Sequence, residues 1–204
     1  MAGADMTAPP DPRAVEALHD RARSDWSEIL PRLNEPLMVQ QVDTAGRTIL
    51  SALAGGHQLL IIGNGGSAAM ASHVAAEFAG KCVIDRDPLP AISLAESSTA
   101  VTAVGNDFGF DQVFVRGVRA HGREGDVLLA MSTSGTSPNI LAALDEARVR
   151  GLTTILLTGE SAIDAVADHV LRAPSTYTPR IQEVHLLWSH AWCEGVDIAW
   201  AART

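Results

Sequence analysis

The chain has 204 residues, 47% of them hydrophobic and 19% charged, with a formal net charge of −9. That length suits one domain with a sizeable core, and the acidic balance excludes a general basic surface for nucleic acid. No apolar run is long enough to span a membrane and the N-terminus lacks a basic-then-apolar signal, so a cytoplasmic protein is expected.

Residues 1–13 are rich in Pro and small residues and are expected to form a flexible tail, with a single domain over residues 14–204. Apolar spacing predicts a helix from Ala14 to about Pro31 and a second from Glu35 to Ala54, stopped by Gly55 and Gly56. After these, strands and helices alternate. Predicted strands are 59–62, 91–94, 127–131, 154–157 and 169–172. Predicted helices are 68–79, 97–104, 111–121, 139–150, a short one near 163–167 and a long one over 179–200. Residues 105–110 read as a polar turn. The alternation implies an α/β fold, a mostly parallel sheet covered on both faces, with the two opening helices added to it.

Two strand-to-helix loops stand out. Gly63-Asn64-Gly65-Gly66-Ser67 follows the first strand and opens a helix. Such a loop offers backbone N–H groups, a hydroxyl and the positive end of a helix dipole to an anion. Ser132-Thr133-Ser134-Gly135-Thr136-Ser137 follows the third strand in the same way. A single Ser or Thr cap is ordinary at a helix start, but this density of hydroxyls suits phosphate oxygens. In open α/β sheets ligands sit at the strand carboxyl ends, where both loops fall. Neither loop has the register of a Walker A or dinucleotide motif, which disfavours nucleotide binding.

His73 and Glu77 are four apart on an alanine-rich helix just beyond the first loop. Such a pair is often a surface hydrogen bond, but beside an anion loop it also suits acid/base or metal chemistry. On the last helix, Gln182 and His190 lie about 80° apart around the axis and roughly 12 Å apart along it. That is near the limit for one ion, so they either reach toward each other or serve sites combined from neighbouring subunits. His185, roughly 140° from His190, reads as a packing histidine or one supporting a ligand from behind. Trp188, Trp192 and Trp200 form a helical stripe suited to core packing or an oligomer interface. Cys82 and Cys193 have no CxxC spacing and read as structural thiols.

Residues 63–67 (GNGGS), 73–77 (HVAAE), 105–110 (GNDFGF), 122–135 (GREGDVLLAMSTSG) and 180–185 (RIQEVH), with His190 beyond, together resemble the sugar-isomerase (SIS) domain family, and within it the bacterial phosphoheptose isomerases. The resemblance implies a three-layer α/β/α sandwich and a ketose–aldose isomerase acting on a phosphorylated seven-carbon sugar, sedoheptulose 7-phosphate, to give D-glycero-D-manno-heptose 7-phosphate. It also implies a homotetramer with active sites at subunit interfaces and bound zinc. Carried over by motif, His73, Glu77, Gln182 and His190 would hold the zinc, and Glu77 and His190 would form the acid/base pair. Asn64, Gly65, Gly66, Ser67, Asn106, Asp107, Ser132, Thr133, Ser134, Ser137 and Gln182 would contact the substrate. Pro179 stands where some family members carry an aspartate. A non-catalytic relative that binds the replication initiator lacks the carboxylate and the final histidine, so Glu77 and His190 favour an enzyme. Other SIS enzymes act on other sugar phosphates.

Overall fold

Alternation along the strands decides the layering. In the computed structural model, which describes residues 11–162, 164 and 166–202, five strands pair in the order β2-β1-β3-β4-β5, and every pairing is parallel. They are β1 (Leu59–Gly63), β2 (Ala91–Ser93), β3 (Val127–Met131), β4 (Thr153–Gly159) and β5 (His169–Ala173). Successive side chains point to opposite faces. Leu59 and Ile61 therefore join Val127, Leu129, Ile155 and Leu157 in one core, while Leu60, Ile62, Leu128, Ala130 and Leu156 join the other. A sheet apolar on both faces needs helices on both.

The first core is covered by α1 (Arg13–Leu33), α2 (Pro36–Ala54), α3 (Gly66–Ala79) and α7 (Thr178–Ala201). The second is covered by α5 (Val113–His121) and α6 (Pro138–Val149), with α4 (Ser98–Phe108) beside α5. This is the expected three-layer sandwich with added N-terminal helices. Strand β2 lies on one side of β1 and β3 on the other, so the connections diverge there and open a crevice at the carboxyl ends of β1 and β3. Among the described residues no helix is long and apolar enough to cross a membrane.

Several boundaries differ from the sequence reading. Helix α1 runs through Pro31 to Leu33. A proline in the last turn forfeits one backbone bond, and Arg32 ties that turn down by donating to the Pro174 carbonyl (3.2 Å) and pairing with Glu160 (2.9 Å). Residues 105–108 are the last turn of α4, not part of a polar turn; the chain breaks at Gly109, with φ 90°. Arg116, its guanidinium 3.9 Å above the Phe108 ring, helps hold that turn in place. Strand β4 is longer than expected because it is hydrogen-bonded along both edges. Of the short helix expected near 163–167, residues 163 and 165 lie outside the described residues, and 164, 166 and 167 are not helical. Residues 1–10 of the expected tail are likewise outside them, and α1 opens at Arg13.

Candidate active site

Both loops lie in the crevice between β1 and β3. Gly63 ends β1 and is pressed onto the first turn of α3: a Cβ there would come within 2.6 Å of the Ser67 carbonyl group. Gly65 caps α3 and Gly66 begins it, both exposed, while Ser67 is buried in the first turn. Asn64 and the buried Asn139 of α6 exchange two side-chain amide bonds of 2.9 Å, which lock the two loops together. The side chain assigned to sugar binding at Asn64 is thus engaged with a partner 75 positions away. Nothing local in the sequence marks Asn139, which reads only as a residue in the first turn of a helix.

The serine loop divides its labour. Ser132 is buried; its hydroxyl lies 3.2 Å from that of Ser137 and accepts from the Gly135 N–H at 3.1 Å. The carbonyl of Thr133 accepts from Gly159 N–H at 3.1 Å, tying the loop to the end of β4. Ser134 is exposed and accepts from the Thr136 N–H (3.2 Å) and hydroxyl (3.1 Å). Its own proton remains available to point into the crevice.

Along α3 and α7 the acid/base groups meet. His73 Nε2 lies 2.9 Å from His190 Nε2, the rings edge-on with centroids 5.1 Å apart. Glu77 Oε1 lies 3.7 Å from His73 Nε2. Glu77 is mostly buried and His73 is 45% exposed, so the group opens at the surface rather than closing inside the chain. Burial, together with the Glu77 carboxylate nearby, pushes the Cys82 thiol up to about 11 and keeps it protonated. Gln182 lies elsewhere, its amide nitrogen 2.8 Å from the place a Gly66 Cβ would occupy. That is seven residues, about 10 Å along α3, from His73. Asn106 and Asp107 sit in the exposed last turn of α4 and are bonded to each other at 2.7 Å.

Among the described residues, no three His, Cys, Asp or Glu side chains form a ready-made metal cage. The chemistry of the His73, Glu77 and His190 donors nevertheless suits zinc. Bonds of about 2.0–2.1 Å in a tetrahedron put neighbouring donors about 3.3 Å apart. The 2.9 and 3.7 Å separations bracket that value. Two imidazole nitrogens at hydrogen-bond distance share a proton, which must leave before both can bind one ion.

His185 resolves as a packing histidine. It is fully buried, its Nε2 donates to the Thr158 carbonyl at 3.1 Å, and burial lowers it to about 4. A folded value below the unfolded 6.5 means that the unfolded chain takes up a proton the native state refuses. Stability therefore falls as pH drops from 6.5 toward 4, by about 1.4 kcal/mol per unit. Urea melts at pH 6.5 and 5.0 are expected to show roughly 2 kcal/mol lost by wild type and little of that difference in His185→Phe. An equal loss in both proteins would assign the effect to other groups.

Residues 24–159 match the SIS domain family model. A phosphoheptose isomerase from Bradyrhizobium sp. (strain ORS 278) is 49% identical over 164 residues, 79% of this chain and 83% of that protein. Phosphoheptose isomerase structures from Neisseria gonorrhoeae (TM-score 0.78, 40% identity) and Francisella tularensis (TM-score 0.83, 34% identity) cover 88% and 90% of this chain, and each is itself covered to 98%. With the family model matched over residues 24–159 and these relatives along most of its length, the chain belongs to the SIS domain family and, within it, stands among the phosphoheptose isomerases.

Proposed function

We propose that the protein isomerises sedoheptulose 7-phosphate to D-glycero-D-manno-heptose 7-phosphate. The observation that carries this reading is the meeting of His73 and Glu77, on the helix that rises from the glycine loop, with His190 of α7. A phosphate held at the two helix N-termini is a fixed anchor for a flexible substrate, whose other end then lies along α3 and α7. Glu77 takes the proton from C1 of the ketose and returns it at C2, and His190 serves the C1 and C2 oxygens through the enediol(ate). Ser134 and the first N–H groups of α3 and α6 hold the phosphate.

His73, Glu77 and His190 are the zinc ligands in this reading, with Gln182 completing the set after a rearrangement or from a neighbouring subunit. When bound, zinc supplies electrophilic stabilisation of a developing oxyanion. A homotetramer is consistent with the exposed Val15, Leu18 and Leu30 of α1 and with Phe108 and Phe110. The cytoplasm, which holds sugar phosphates, is the fitting compartment.

Ser134→Ala is expected to weaken sugar-phosphate binding by about 1–3 kcal/mol, read as a rise in KM with kcat nearly unchanged. An unchanged KM would remove the serine loop as the phosphate grip. Steady-state assays on sedoheptulose 7-phosphate, alongside ketohexose and ketopentose phosphates, test the substrate assignment: turnover confined to a shorter sugar would replace it.

A further inference from the structure

Between α3 and β2 the chain is organised around one buried ion pair. Arg86 Nε donates to Asp197 Oδ1 at 2.8 Å, with the side chains 1% and 0% exposed. The other Asp197 oxygen accepts the N–H groups of Cys82, Val83 and Ile84 at 2.9, 2.8 and 3.1 Å. The rest of the Arg86 guanidinium faces the end of α3: it donates to the carbonyls of Glu77 (3.0 Å), Phe78 (2.8 Å) and Gly80 (3.1 Å). Carbonyls at a helix C-terminus have no following turn to satisfy them, and a cation there also suits the negative end of the dipole. Arg86 is therefore a side-chain cap on the turn that carries Glu77.

Glu77 is held through its own helical turn by this arrangement. Its own carbonyl is bonded to Arg86, and its carboxylate lies near the thiol of Cys82, the residue whose backbone N–H Asp197 holds. Asp197 follows His190 by seven residues on α7, so the two lie within about 20° on one helix face. One helix thus delivers His190 to His73 and, two turns on, the anchor for the loop behind Glu77. A buried ion pair contributes little net stability after its desolvation cost, whereas it fixes geometry closely.

We propose that the Arg86–Asp197 pair is a positioning device for Glu77, acting through the α3 C-terminus and Cys82. This rests on the isomerase reading above, in which Glu77 moves the proton. Arg86→Lys keeps the charge but cannot serve Asp197 and three carbonyls at once. Assayed well below its melting temperature, it is expected to lose 10- to 100-fold in kcat with KM within twofold of wild type. Val118→Ala, in the opposite core, is the control for lost stability alone and is expected to keep wild-type kcat. Arg86→Lys with kcat within twofold of wild type, despite a lowered Tm, would overturn the proposal. If Arg86→Lys does not fold, the same arrangement is tested at Cys82, which Asp197 holds by its N–H and whose thiol lies near the Glu77 carboxylate. Cys82→Ala is expected to lose at least fivefold in kcat and Cys82→Ser to recover most of it; full activity in Cys82→Ala would overturn the proposal. If wild type itself does not turn over the sugar, the isomerase reading fails separately. Hydrogen exchange across residues 74–84 then decides: faster exchange confined to that segment in Arg86→Lys supports the device, and unchanged exchange overturns it.

Discussion

Glu77→Gln is expected to lower kcat for sedoheptulose 7-phosphate by about 10²–10⁴-fold, the usual contribution of a positioned general base. The amide is isosteric, so the α3 turn, with Arg86 on its carbonyls, has no reason to move. What is lost is the lone pair that accepts the proton from carbon. KM should change far less, because the phosphate grip lies about three helical turns away at the loop ends. Thermal melting and steady-state kinetics on the same preparation separate the two effects. Turnover within tenfold of wild type, with the fold intact, would remove Glu77 from the proton transfer.

Gly63→Ala is expected to damage fold and binding together. A Cβ at that position meets the Ser67 carbonyl carbon and oxygen at 2.6 Å, and these are backbone atoms that cannot swing aside. The end of β1 and the start of α3 must separate, at a cost of about 1–3 kcal/mol for overpacking. The shift carries away the N–H groups proposed to bind phosphate, so KM is expected to rise at least tenfold. Gly66→Ala provides the contrast. Its Cβ meets the end of the flexible Gln182 amide at 2.8 Å, and that group can turn away. Stability should change by less than about 1 kcal/mol there, leaving any kinetic effect to the displaced Gln182. Equal urea midpoints for wild type and Gly63→Ala would contradict the close approach of strand and helix.

Much of the fold is legible in local pattern. Buried strands such as Leu59–Gly63 and Val127–Met131 are continuous apolar runs, as strands covered on both faces must be, and each is followed by a loop that opens a helix. The positions of the two loops at the crevice follow from that alternation. His73 and Glu77 could be placed on one helix face from spacing alone, and His190 on the last helix.

What stayed hidden depends on partners distant in the chain. The pairing of Asn64 with Asn139, 75 positions on, has no local signal in the sequence. Arg86 and Asp197 are 111 positions apart and carry no local motif, yet they order the loop behind Glu77. Cys82 reads as an inert thiol because nothing nearby in sequence predicts a carboxylate beside it. The helix end at Phe108 is hidden for a local reason: Gly105 tolerates a helix here, and the stop comes at the second glycine, Gly109, whose φ of 90° disfavours other residues. Gln182 shows the limit of counting along one helix, since its separation from His190 does not tell where its flexible amide rests.

The most direct measurement is the incubation of zinc-loaded protein with sedoheptulose 7-phosphate in deuterium oxide, followed by NMR of the sugar phosphates. Formation of D-glycero-D-manno-heptose 7-phosphate with deuterium at C2 is expected in wild type, and neither product nor exchange in Glu77→Gln. An unchanged ketose without deuterium at C1, from a folded wild-type protein, would contradict proton transfer at this site.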